Sequence, residues 1–377
     1  MQIRHVSNLY QVYALSGSAF QLGLAGFFQA LPFALFGLFA GAVADAVDRK
    51  KLILVTQSLN LVPSLALGFL TLTGAVQVWH VYLFGLASSL VEVFGWPARA
   101  ALIPRLVPQS HLMNAVTLTT MISQSSFLVG PAIGGILIDQ AGLASTYFFC
   151  AFLVLPAILG VLAVRRSGRP EGERRPISLR SIVEGVEFIW AQRIILSLFL
   201  LDFGVVLFGF YRPILPIFAG DVFNMGATGL GTLYAAPAAG SLLGSASLLM
   251  AGDIRRKGAS AVVAAVFFAA SLAFLGLAHW FWVAVVAVIA LGFTDAISVG
   301  MRRTVVQLLA PDAMLGRASS LLSVFAQTTN AAGALLAGGA AQLFGAPNAL
   351  LLGSGLCLIM IVGITRAIPQ LWRYRSG

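Results

Sequence analysis

The run Ala259-Ser-Ala-Val-Val-Ala-Ala-Val-Phe-Phe-Ala-Ala-Ser-Leu-Ala-Phe-Leu-Gly-Leu-Ala278 contains no charged residue. At 1.5 Å per residue, a helix of this length covers the ~30 Å hydrocarbon core of a bilayer. Phe281 to Gly300 and Leu350 to Ile368 are apolar runs of similar length, each with a single charged residue, Asp295 and Arg366. The whole chain matches them: of 377 residues, 59% are hydrophobic and 10% are charged. A soluble domain carries about 25% charged residues, so this chain lacks the polar surface to remain in water. Transmembrane barrels alternate apolar and polar residues in segments of about ten, and no such alternation occurs. The sequence predicts an all-α integral membrane protein.

Outward from that run, spans are expected near Phe20–Ala44, Leu52–Gly74, Val78–Trp96, Asn114–Ile138 and Ala144–Val164. They resume near Ile194–Ala219, Gly229–Ala251, Ala259–Ala278, Phe281–Gly300, Ser319–Leu343 and Pro347–Ile368. This makes eleven full spans, preceded by a short, half-polar stub at Val6 to Leu15, read as a truncated first helix. Residues 1–164 and 194–377 form two bundles, joined by a polar linker at 165–193. In the linker, Ile182, Val183, Val186, Ile189 and Trp190 recur at helical spacing, as in an amphipathic helix lying on the membrane surface.

The net charge of +10 is distributed as a topology signal and not as a nucleic-acid footprint. Of 23 basic residues, all but Arg4 and Arg212 fall in alternate loops or at their edges. The positive-inside rule places those loops and the C-terminus in the cytoplasm, as expected of a multi-pass protein of a bacterial inner membrane. Cys150 and Cys357 lie in apolar runs and read as small buried hydrophobes. The four histidines are scattered, which argues against a metal site, and no cofactor, catalytic constellation or nucleotide-binding loop is visible.

The chain also repeats itself. An offset of 203 aligns Arg99 with Arg302, Pro108 with Pro311, Leu112 with Leu315, Gly135 with Gly338 and Gly142 with Gly345. Upstream the offset is 208 and pairs Leu22 with Leu230, Gly23 with Gly231 and Asp45 with Asp253. Two halves running in the same direction imply parallel structural repeats. Matches among Gly and Ala arise readily in apolar sequence, so Arg, Pro and Asp carry the weight of this alignment. At offset 208 the first half has no counterpart of Ile194 to Phe208, which is why the first helix reads as truncated, by a late start or as a natural variant.

Gly41-Ala-Val-Ala-Asp45-Ala-Val-Asp48-Arg49-Lys50-Lys51 resembles the signature loop between the second and third helices of the major facilitator superfamily. Asp48 stands where that pattern often has Gly. The resemblance implies the major facilitator fold, with Asp45 latching one conformation through a helix of the other half. It places Arg99 and its repeat mate Arg302 in the same cytoplasmic latch region. Gly130-Pro131-Ala-Ile-Gly134-Gly135 is similar to the Gly-Pro motif of exporters in this superfamily. Pro97-Ala-Arg99, Pro104, Leu106-Val107-Pro108, Leu112 and Asn114-Ala115 resemble the subgroup containing enterobactin and macrolide exporters.

Charges within spans mark cavities or partners, because each is costly in hydrocarbon. Glu92 and Asp295 are one repeat offset apart, and each precedes an Arg by seven residues, Arg99 and Arg302. They read equally as proton carriers or as standing ion pairs with those arginines. Asp202 has no Arg one turn away on its own helix and is a further candidate for coupling or substrate contact. Arg212 is a weaker candidate, since it is also placed to snorkel to the interface or to pair with Asp221. Asp139 ends its span and is expected in water.

These readings predict a monomeric secondary exporter of amphipathic small molecules, hydrophobic or weakly cationic, driven by protons or sodium. An importer on the same fold, or a membrane sensor or scaffold without transport, are the alternatives.

Overall fold

The computed structural model describes residues 1–164, 187, 189–252 and 254–374, apart from the side chains at 38, 42, 45, 312–320 and 322. Most of the expected linker helix, Asp253 and the side chains of Arg317 and Asp45 therefore lie outside what is described. Five helices come first: α1 (Gln2–Ser16), α2 (Ala19–Ala46), α3 (Arg49–Leu72), α4 (Val78–Leu106) and α5 (Leu112–Ala163). After the linker follow α6 (Arg193–Phe208), α7 (Gly226–Ala251), α8 (Lys257–Gly276), α9 (Phe281–Leu309), α10 (Asp312–Phe344), α11 (Ala346–Ala367) and the short α12 (Gln370–Arg373). A 3₁₀ turn at Arg212–Ile214 and a π-helical turn at Phe218–Val222 lie between α6 and α7.

Among the described residues, nine segments are long and apolar enough to cross a membrane. One of them, Gln109–Ala163, has 55 residues, far more than a single crossing needs. It breaks at Gly142, where φ is 79° and ψ is 166°. Its repeat mate Gly345 has nearly the same backbone, φ 81° and ψ 154°, and separates α10 from α11. A side chain at either position would be strained at this φ, so these two matched glycines are required by the turn itself.

Local chemistry sets the helix ends. The Ser18 hydroxyl accepts from the Gln21 N–H at the start of α2. Asp48 caps α3, accepting from the Lys50 and Lys51 N–H groups at 2.9 and 3.3 Å. This explains an acid where the resembled pattern has glycine. The stub is a full helix of 15 residues, packed against α5 and not loose.

Before the linker, α3 packs on α4 and α5, and α2 packs on α4. After it, α7 packs on α9, while α8 packs on α9 and α11. The two groups meet along α2 with α10 and α5 with α7. The apolar cores show which end is closed. At the end remote from the basic loops, Val6, Leu9, Leu22 and Ala25 share one core with Tyr211, Ile214, Phe218, Leu230 and Leu233. Towards the basic loops the cores separate: Ala44, Ile53, Ala98 and Leu102 form one, and Leu198, Ala261, Met301 and Ile361 form another. Among the described residues, the apolar core shared by the two halves lies at the far end.

Glycines make this join close. A Cβ on Gly135 would lie 2.3 Å from the Ala227 carbonyl oxygen, and one on Gly231 would lie 2.4 Å from that of Pro131. On the other seam, a Cβ on Gly23 would lie 2.6 Å from the Ala334 carbonyl oxygen, and one on Gly338 would lie 2.6 Å from the Gly23 Cα. Glycine matches discounted in the sequence as background thus mark the two places where the halves touch, as small residues do at close helix crossings.

Candidate functional site

Between the halves lies a cavity of about 1410 Å³. Its lining runs from Gly37, Gly41, Trp96 and Arg303, on helix segments nearing the basic loops, to Leu9, Tyr211 and Tyr234 beside the shared core. Its walls are mostly apolar, with a few polar groups converging at depth, the usual character of a small-molecule site.

α1 supplies part of the polar lining through a network that sequence reasoning missed. Arg4 is buried and donates from Nη1 to the Asn60 carbonyl oxygen at 3.1 Å and to Ser64 Oγ at 3.0 Å. Its Nη2 donates to Asn60 Oδ1 at 3.0 Å. Tyr147 donates to Asn8 Oδ1 and is within 2.8 Å of Gln11 Oε1, while Gln11 Nε2 reaches Thr71 Oγ1 at 2.7 Å. Arg4, Asn8 and Gln11 recur at spacings of four and three, one helical face. That polar stripe was the available signal.

Arg212 departs from the sequence expectation. It lines the cavity and makes no ion pair with Asp221 among the described residues, where Asp221 accepts a short hydrogen bond from the Tyr13 hydroxyl. Its guanidinium is exposed to the cavity, in a turn pinned where the Tyr234 hydroxyl donates to the Arg212 carbonyl oxygen at 2.6 Å. The His5 ring meets the Tyr234 ring edge-on at 5.7 Å. The two basic residues outside the charge pattern are thus an interior anchor, Arg4, and a cavity group, Arg212.

The three acids have distinct surroundings. Glu92 pairs with Arg99 on its own helix, and its Oε2 is buried with no hydrogen-bond partner among the described residues. Asp202 pairs with Arg302 across α6 and α9. Asp202 thus takes an arginine from another helix, and of the two alternatives for Asp295 the ion pair with Arg302 is not the one formed here. Asp295 is exposed to the cavity and makes no ion pair among the described residues.

The Arg49–Lys50–Lys51 cluster ties its own half together. Arg49 Nε and Nη1 donate to the Ala44 and Ala101 carbonyl oxygens, each at 3.4 Å. Lys50 Nζ reaches those of Leu162 and Val164 at 3.1 and 2.6 Å. Cations at helix C-termini are favourable, since the last carbonyls there lack helical partners. Gly41 has open space before it and faces the cavity. In the Gly-Pro motif, Gly130 and Gly134 lie against Gln2 and Ile3 of α1, and Pro131 and Gly135 lie against α7.

The model of one family, described as transmembrane secretion effector, matches residues 1–373. The chain belongs to that family, within the major facilitator superfamily. Two curated members of this superfamily are similar over 370 residues at 27% identity, covering 97% of this chain and 88% of theirs. They are the enterobactin exporters EntS of Shigella boydii serotype 18 and of Escherichia coli O139:H28. Among solved structures, a bacterial homolog of the human lysosomal transporter Spinster, inward-facing and unoccupied, aligns with TM-score 0.75 at 16% identity. The alignment covers 100% of this chain and 96% of that one. The nucleoside transporter NupG aligns with TM-score 0.73 at 13% identity, covering 97% and 98%. The chain is therefore a multi-pass membrane transporter of the major facilitator superfamily and not an enzyme.

Proposed function

We propose that the protein exports amphipathic small molecules from a bacterial cytoplasm by proton antiport, its two halves, 1–164 and 194–377, rocking about the central cavity. The observation that carries this reading is the cavity itself, bounded at one end by a shared apolar core and lined as far as Gly41, Trp96 and Arg303 near the basic loops. With those loops cytoplasmic, the C-terminus is cytoplasmic too and the conformation is the one that loads substrate from inside. The names of the curated relatives support the outward direction. Eleven crossings plus α1 accommodate this topology, with the protein acting as a monomer.

Within this reading Asp295 is the coupling acid and Arg212 the recognition group. Both are charged, exposed to the cavity and without an ion-pair partner among the described residues. Asp202 and Glu92 are each neutralised by an arginine. Ionised, Asp295 accepts hydrogen bonds from donor groups of the substrate; once protonated from outside, it releases them, and the return of the proton inward drives the cycle. Arg212 holds an acidic or acceptor group of the same molecule. The substrate is then an apolar body with a donor and an acceptor, and not simply a hydrophobic cation.

In cells lacking the gene, expression of the full chain should lower accumulation of at least one amphipathic antibiotic or siderophore, and a protonophore should abolish the difference. Unchanged accumulation across such a panel contradicts export.

A further inference from the structure

The far end of the transporter is tied by two polar contacts that obey the internal repeat. At the end of the first limb of α5, Asp139 reaches across to the other half and caps α7. Its Oδ1 accepts from the Ala227 N–H at 3.2 Å and its Oδ2 from the Thr228 N–H at 2.7 Å. α7 has no side-chain cap of its own. Near the end of α10, Gln342 reaches the start of α2, where its Oε1 accepts from the Ser18 hydroxyl at 3.0 Å and from the Phe20 N–H at 3.3 Å. The capping residues differ by 342 − 139 = 203, and the capped N–H groups of Thr228 and Phe20 differ by 228 − 20 = 208. These are the two offsets that relate the halves. Beneath each cap lies a glycine crossing, Gly135 with Gly231 and Gly23 with Gly338.

We propose that Asp139 and Gln342 form a paired latch that holds the far end shut, each half capping a helix N-terminus of the other. Opening that end must part α5 from α7 and α2 from α10, and so must break both caps. The first N–H groups of a helix have no partner within it, and their partial positive charge favours an anion. The carboxylate of Asp139 therefore makes the stronger clasp and the neutral amide of Gln342 the weaker. Both sites are solvent-exposed, so each contact biases an equilibrium without locking it. Asp139, expected in water, is thus a gate residue.

This inference rests on the alternating-access reading, and one experiment separates the two. Spin labels at Thr73→Cys and His279→Cys lie on exposed far-end loops of opposite halves, and both native cysteines are buried. Electron–electron distance distributions are recorded for the full chain in lipid nanodiscs. Asp139→Asn, which keeps the shape and removes the charge, should raise the ratio of long to short distances about two- to fivefold. Gln342→Glu should lower it by a similar factor, a gain of closure that misfolding cannot imitate. If both distances occur but neither variant shifts their ratio, or Gln342→Glu raises it, the latch is overturned. If every form, including Asp139→Ala, shows only the short distance, alternating access falls with it.

Discussion

Asp202 of α6 and Arg302 of α9 form an ion pair whose side chains are only 12% and 11% exposed. Spacing along the chain puts Arg302 two turns from Asp295 on the same helix, yet the partner it takes comes from another helix. In the first half, the repeat mate Arg99 takes Glu92 of its own helix instead. One acid, Asp295, is left facing the cavity without an ion-pair partner among the described residues, and the coupling assignment follows from that asymmetry.

Removing one member of a buried pair strands the other charge and typically costs about 3–5 kcal/mol, whereas replacing both by apolar groups is far better tolerated. Asp202→Leu and Arg302→Leu should each lower the thermal midpoint of the purified protein, and the double variant should recover most of the loss. Labelling of the buried Cys150 and Cys357 by a thiol-reactive dye reads the transition directly. A double variant whose loss is the sum of the two single losses would show that the residues do not act as a pair.

Gly338 and Gly339 are adjacent in sequence but differ in surroundings. A Cβ on Gly338 meets the Gly23 Cα at 2.6 Å, while one on Gly339 meets nothing within 4 Å. Gly338→Ala should force α10 from α2, costing about 1–3 kcal/mol and reducing transport. Gly339→Ala should behave as wild type in both assays. Equal effects of the two substitutions would contradict the close crossing.

Arg4 anchors α1 through three hydrogen bonds to Asn60 and Ser64. Arg4→Met should destabilise the fold by about 2 kcal/mol, because the acceptors on α3 lose charge-assisted partners. Arg4→Lys should restore little, since an ammonium lacks the planar fork that reaches both atoms of Asn60. Thermal unfolding of the two variants checks this, and full rescue by lysine would refute it.

Much of the architecture is legible in the sequence, and the illegible part has definite causes. Apolar run length located the helices but not all their ends: the expected span Phe20–Ala44 is the helix Ala19–Ala46, while Val78–Leu106 runs past Trp96, Phe281–Leu309 runs past Gly300, and Arg193–Phe208 stops short of Ala219. The glycine repeats carried more information than their background frequency implied, since Gly23, Gly135, Gly231 and Gly338 are the seams and Gly142 and Gly345 the turns. Partner choice was hidden because it is tertiary. Nothing in the spacing of α9 says that Arg302 turns towards α6, or that Asp139 finds free N–H groups on α7. Arg4 and Arg212 broke the loop-charge pattern, and that exception was itself the pointer to the interior.

Glu92 shares its charge with Arg99, so its loss should leave coupling intact. Glu92→Gln is expected to keep proton-dependent transport, with reduced stability because Arg99 loses its counter-ion. Loss of proton dependence in Glu92→Gln would move the coupling role from α9 to α4.

Inside-out vesicles carrying the full chain, supplied externally with a transported compound identified in the accumulation screen, test the central claim most directly. An imposed pH gradient, acid inside, should drive compound into vesicles bearing the wild-type protein. With Asp295→Asn the gradient should have no effect, while exchange of labelled for unlabelled compound continues. Gradient-driven uptake that persists undiminished in Asp295→Asn would contradict the assignment of proton coupling to the cavity acid of α9.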